Sequence, residues 1–209
     1  MEYILKTNSL EKRYKDFTAL KGLTMNVPKG AIYGFVGKNG AGKTTLIRLV
    51  CGLQEASGGD YELFGVKSTD KAISGSRRRM GAIVETPSIY LDMTAKDNLK
   101  QQYDVLGRPT YEGIDELLSL VGIKDTGKKK AKNFSLGMRQ RLGIAVALCG
   151  DPDFLVLDEP INGLDPQGII EIRELILKLN REKKITILIS SHILDELSKL
   201  ATHYGFIDQ

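Results

Sequence analysis

The sequence predicts an α/β fold: a doubly wound, mostly parallel sheet with an antiparallel β unit near the N-terminus and an inserted helical lobe. Short apolar runs such as Phe154–Leu157 and Ile185–Ser190 alternate with longer amphipathic stretches, as strands buried on both faces alternate with the helices that cover them. A glycine-rich stretch, Gly37–Thr45, joins an apolar run to a helical one. Residues 88–150 lose strand character and read as three successive helices.

In chain order, Tyr3–Lys6, Leu23–Val27 and Ala31–Phe35 read as short strands, with Pro28-Lys29-Gly30 as a turn. Ile32–Val36 leads into the glycine loop and Thr45–Val50 leads out as a helix. Ser57–Phe64 reads as an edge strand and Met80–Glu85 as a buried one. Thr94 caps a helix running through Asn98, Leu99, Tyr103 and Leu106, which Gly107 and Pro109 end. Tyr111–Val121 is amphipathic, with Ile114, Leu117, Leu118 and Val121 on one face. Ser135 opens a third helix that reaches Cys149 and stops at Gly150 and Pro152. Pro166–Asn180 and His192–Leu200 are the last expected helices, and Tyr204–Ile207 the last strand. The expected organisation is a single domain, with residues 1–87 and 151–209 forming the β unit and parallel core and residues 88–150 the lobe.

Composition fits this class. The chain has 209 residues, of which 42% are hydrophobic and 27% charged, enough for a core under a solvated surface. A net charge of +4 does not demand a nucleic acid, because a phosphate ligand or an acidic membrane face suits it equally. The basic run Lys128, Lys129, Lys130 and Lys132 reads first as a solvated face. Cys51 and Cys149 lack metal-ligand spacing and read as two buried thiols in a reducing compartment. No run approaches the ~18 apolar residues of a membrane helix. The expected location is therefore the cytoplasm, with any membrane link made through a partner.

Gly37-Lys38-Asn39-Gly40-Ala41-Gly42-Lys43-Thr44, followed by Thr45, satisfies G-x-x-x-x-G-K-[ST] in strand–loop–helix context. Glycines let successive backbone N–H groups curl around a phosphate, and the helix N-terminus adds partial positive charge there. Lys43 can bridge the β- and γ-phosphates, and Thr44 can bind Mg²⁺ through its hydroxyl. A glycine turn that binds nothing would not need all eight positions. Phe154–Leu157 then ends in Asp158 and Glu159, at the strand edge where parallel sheets hold ligands. Asp158 is a candidate Mg²⁺ ligand and Glu159 a candidate general base; a pair of solvated acids is the bland alternative.

Phe134-Ser135-Leu136-Gly137-Met138-Arg139-Gln140-Arg141-Leu142 resembles the signature segment of the ATP-binding cassette family. Asn162-Gly163-Leu164-Asp165-Pro166 resembles that family's D-loop, and Ser190-Ser191-His192 its switch-histidine loop. Tyr14 matches its adenine-stacking aromatic. The resemblance spans the whole chain and implies a RecA-like P-loop NTPase core that hydrolyses ATP with Mg²⁺. It implies that Ser135, Leu136, Gly137 and Met138 face the ATP held by a second copy, that His192 senses the γ-phosphate, and that Asp165 orders the dimer seam. For Asp165 a helix cap before Pro166 is the alternative, and for Tyr14 simple packing on the N-terminal strands.

Two departures matter. Glu85 stands where the family usually has Gln, and it is counted with Thr44 and Asp158 as a candidate metal ligand. Leu136 and Met138 replace the first Gly and the Gln of the usual Leu-Ser-Gly-Gly-Gln, as in the branch that exports, or protects against, peptide antibiotics such as bacitracin and lantibiotics. The implied partners are a second copy and an integral membrane permease docked near Thr86–Tyr90, with no nucleic acid. A soluble cassette acting on DNA ends or ribosomes would need heptads or a second cassette, and neither is present. A module that holds ATP without hydrolysing it would not need Glu159 and His192. Relatives in the family usually continue past the position of Gln209, so a trimmed C-terminus is a further expectation.

Overall fold

A computed structural model describes residues 2–208; the expectation concerning the chain's end at Gln209 lies outside the described residues. Two sheets form the frame. The first is antiparallel and consists of β1 (Tyr3–Tyr14), β2 (Phe17–Pro28), β4 (Gly58–Leu63) and β5 (Val66–Lys67), in the order β2-β1-β4-β5. The second is parallel throughout and holds β3 (Ile32–Val36), β6 (Met80–Ile83), β7 (Phe154–Asp158), β8 (Thr186–Ser191) and β9 (His203–Phe206), in the order β6-β7-β8-β3-β9.

The parallel sheet sits between two apolar layers, and side-chain alternation decides which residue enters which. Tyr33, Phe35, Phe154, Val156 and Leu188 point toward α1 (Lys43–Val50) and the antiparallel sheet, where Leu46, Ile47, Leu5 and Leu63 are buried. Ile32, Leu155, Leu157, Ile187 and Ile189 point the other way. There they meet α5 (Leu136–Leu148) and α6 (Pro166–Lys183) through Leu142, Ala145, Ile172 and Ile176. The helices α3 (Ala95–Val105) and α4 (Ile114–Leu120) bury Leu99, Ile114 and Leu118 in the same layer.

Several elements differ from their sequence reading. Tyr3–Lys6 and Leu23–Val27 are parts of one long hairpin, β1–β2, whose strands turn at Lys15 and Asp16. Four shifts of register along this pair break the alternation that would have marked it as two twelve-residue strands. A short helix, α2 (Ile73–Arg77), was not expected. The last helix is only α7 (Leu194–Ser198), because His192 and Ile193 remain outside it. The helix from Pro166 continues to Lys183, where Lys184 in the left-handed region ends it. The caps at Thr94 and Ser135 stand as expected, each side chain accepting an N–H from the first turn of its helix.

Candidate active site

The site lies at the C-terminal edge of the parallel sheet, where β3, β7 and β8 end side by side. The chain leaves β3 at Val36 and curls through Gly37–Gly42 before α1 starts. Gly42, at φ +104°, is the N-cap of α1, and a Cβ there would lie 2.5 Å from the Ala19 carbonyl, so a side chain is excluded on two counts. The loop therefore brings backbone, not side chains, to the helix N-terminus. Lys43 is 5% exposed, and its Nζ donates to the Gly37 and Lys38 carbonyls at 2.6 and 3.0 Å. The ammonium stands inside the loop, where a phosphate's negative oxygens would be received.

One residue further on, Thr44 Oγ1 donates to Asp158 Oδ2 at 2.8 Å. Asp158 is buried, and its second oxygen accepts from Ser190 Oγ at 2.5 Å. Glu159 follows in the left-handed region at φ +49°, a conformation that directs its side chain back over the loop. Its N–H donates to Ser190 Oγ at 3.0 Å, its Oε1 lies 3.2 Å from Lys43 Nζ, and its Oε2 lies 2.9 Å from His192 Nδ1. Lys43, Thr44, Asp158, Glu159 and His192 thus come together from two strand ends and one helix. One hydroxyl holds each Asp158 oxygen, and the adjoining Glu159 carboxylate has a cation beside one oxygen and a histidine beside the other.

Other residues singled out in the sequence lie elsewhere. Glu85, at φ +62°, is paired with Arg48 at 2.6 Å and is not drawn to Thr44 and Asp158 in this structure. Asp165 caps α6, Oδ1 accepting the Gly168 N–H at 3.1 Å, which is the alternative allowed for it above. Ser135 caps α5 with a 3.2 Å bond from the Met138 N–H. Leu136 is 50% exposed beside it. Ser135, Leu136, Gly137 and Met138 line a cavity of about 550 Å³ together with Gly163, Leu164 and Asp165, and no residue of the phosphate loop borders it. Tyr14, 37% exposed at the end of β1, donates to Gln54 Oε1 at 2.5 Å beneath Lys12, whose ammonium stands 5.2 Å from the ring centre. Two residues in contact with the candidates carried no assigned role: Ser190, which bonds Asp158 and Glu159, and Arg48, which pairs with Glu85. For Ser190, a hydroxyl at the end of a strand beside an acidic strand end is a usable signal in the sequence. Nothing local marked Arg48.

A phosphate-binding loop beside a carboxylate strand end, on this sheet, defines a P-loop nucleotide hydrolase. The family profile described as ABC transporter matches residues 20–162. The chain belongs to that family and is an ATP-binding, ATP-hydrolysing cassette of it. The bacitracin transport ATP-binding protein BcrA of Bacillus licheniformis is 47% identical over 209 residues, covering 100% of this chain and 68% of that protein. The lantibiotic transport ATP-binding protein SrtF of Streptococcus pyogenes is 43% identical over 204 residues, covering 98% and 86%. Among solved structures, cbiO1 from Clostridium perfringens, part of the ABC transporter complex cbiONQ, aligns with a TM-score of 0.87 at 28% identity, covering 100% of this chain and 86% of its own. The ATP-binding cassette MJ0796, solved as a dimer with ADP and Pi, shares the fold at a TM-score of 0.86 and 22% identity, covering 98% and 94%.

Proposed function

We propose that this cassette powers export of a peptide antibiotic through a separate membrane permease, working as a two-fold pair with ATP held between the phosphate loop of one copy and the signature segment of the other. One observation carries the pairing. The groups that would hold and attack the γ-phosphate are gathered in one cluster, while the signature residues line a separate cavity of about 550 Å³. A helix start that offers Ser135 and the Gly137 N–H is an anion site in search of a phosphate, and a two-fold axis supplies one. The cargo class rests on the names and identities of the two transport relatives. No described helix is long and apolar enough to cross a membrane, so the chain would reach the cytoplasmic face through its permease. The exposed Tyr90 and Leu91 offer that contact next to Thr86, on a loop pinned by Asn98, which accepts the Tyr90 N–H at 2.7 Å.

In this reading Gly37–Thr45 receives the triphosphate and Tyr14 stacks on the adenine. Lys43 exchanges the Gly37 and Lys38 carbonyls and Glu159 for phosphate oxygens. Glu159 then accepts a proton from water as the water oxygen bonds to the γ-phosphorus and the bond to the ADP oxygen breaks. His192 holds the carboxylate in position and steadies charge on the γ-phosphate. Thr44 and Asp158 offer one hydroxyl and one carboxylate, and no group of three metal-ligating side chains occurs among the described residues. That donor set fits Mg²⁺, which favours hard oxygens and takes the rest from phosphate and water. When bound it would supply charge neutralisation of the phosphates.

Deleting the coding sequence in its host and measuring growth inhibition by bacitracin and by a lantibiotic tests the cargo. Greater sensitivity to one of them is expected; unchanged sensitivity to both would count against it. Light scattering of Glu159→Gln protein with MgATP tests the pairing. Twice the monomer mass is expected, and a monomer at all concentrations would overturn it.

A further inference from the structure

Glu85 puts a third carboxylate near a site that must accept a polyanion. β6 lies beside β7 with Ile83 in register with Leu157, so Glu85 leaves the same sheet edge as Asp158 and Glu159. Its Oε1 lies 2.6 Å from Arg48 Nη2. Arg48 is one turn past Thr44 on the same face of α1, with the two Cβ atoms roughly 5–6 Å apart, so the ion pair is anchored on the helix that carries Lys43 and Thr44. Two further features hold the carboxylate there. Glu85 occupies the left-handed region, which a residue with a side chain adopts when its surroundings impose it. Two residues on, Pro87 lies against α5: a Cβ at Gly143 would come within 2.5 Å of the proline Cβ. The loop is fastened to the phosphate-loop helix at Arg48 and to the signature helix at Gly143.

We infer that Arg48 is the positioning residue that neutralises Glu85 and holds its carboxylate away from the phosphates, which lets this cassette carry a glutamate at that position without losing nucleotide affinity. The inference rests on the reading that Gly37–Thr45 holds the phosphates. Without Arg48, an unpaired negative charge at the sheet edge that carries Asp158 and Glu159 opposes the nucleotide. Without Glu85, the guanidinium is left to attract it.

The test is binding of fluorescent mant-ATP in low-salt buffer containing EDTA, so that neither metal nor turnover enters. Arg48→Met is expected to weaken binding roughly three- to tenfold, Glu85→Gln to tighten it roughly threefold, and the double variant to return near the wild-type value. Arg48→Lys should stay close to wild type, and high salt should shrink all these differences. A purely structural role for Arg48 would lower the unfolding temperature and would not be rescued by Glu85→Gln. The inference is overturned if Arg48→Met binds like wild type, if its loss is the same in the Glu85→Gln background, or if Glu85→Gln alone binds no tighter. Should Arg48→Met fail to fold, Glu85→Gln still decides. Failure of the wild-type protein to bind mant-ATP at all would instead remove the phosphate-loop reading.

Discussion

Lys43 Nζ lies 3.2 Å from Glu159 Oε1, so the cation suited to phosphate and the carboxylate suited to activating water share one ion pair. The two residues come from different elements, the start of α1 and the end of β7. Their contact ties the two proposed roles together: a phosphate that reaches Lys43 arrives beside a Glu159 oxygen.

The two side chains should nevertheless fail in different ways. Lys43→Ala removes the charge that receives the phosphates, and mant-ATP binding is expected to be lost. Glu159→Gln keeps the shape and binding but lowers turnover by about 10²- to 10⁴-fold, the usual contribution of a placed base. Phosphate release and equilibrium binding measured on both variants separate the roles. Near-normal turnover of Glu159→Gln would end the assignment of Glu159 as base.

Ser190 joins the two acids, donating to Asp158 Oδ1 and accepting the Glu159 N–H. Both Ser190 and Asp158 are buried. Ser190→Ala leaves a buried carboxylate oxygen without its donor, and a loss of roughly 1–3 kcal/mol in stability is expected, with lower turnover. Urea denaturation measures the first and phosphate release the second. Unchanged stability would mean that water replaces the hydroxyl.

A site shared across a two-fold axis predicts complementation. Lys43→Ala and Ser135→Ala should each be inactive alone. A mixed dimer holds one site with both defects and one with none, so an equimolar mixture should recover up to roughly a quarter of wild-type turnover. A mixture as inactive as its parents would place the whole site within one chain.

The thiols give a pH prediction. Burial pushes the Cys51 thiol up to about 11 and the Cys149 thiol up to about 12. Both should stay protonated at pH 8 and react slowly with a disulfide reagent until the protein is unfolded. A neutral buried thiol contributes its full stability below the ordinary thiol pKa of 9.0 and loses it as pH rises toward about 12. Unfolding temperature should therefore fall across that alkaline range, and Cys149→Ser should flatten part of the fall. A pH-independent unfolding temperature between 9 and 11 would contradict the shift.

Much of this was legible in the chain alone, because it depends on spacing. Gly37–Thr44 must bend at fixed positions to expose its N–H groups, and that requirement is written in eight consecutive residues. Phe154–Leu157 is apolar on both faces because a central parallel strand is covered on both, so its burial and the exit of Asp158 at its end could be read together. The caps at Thr94 and Ser135 were equally local.

Side-chain partnership over long separations was decided only by the tertiary structure. Thr44 finds Asp158 across 114 positions, and Glu85 finds Arg48 across 37. Whether Glu85 faces a metal or a guanidinium depends on the left-handed turn after β6 and on how closely α1 and α5 flank it. No periodicity encodes either. The β1–β2 hairpin escaped for a related reason: its strands are paired through register shifts, so cross-strand contact rather than alternation along the chain holds them. The sequence by itself determined the fold, the phosphate loop and the family, since each follows from residue type at short range. The packing of distant elements determined which charges neutralise which, because an ion pair is set by separation in space.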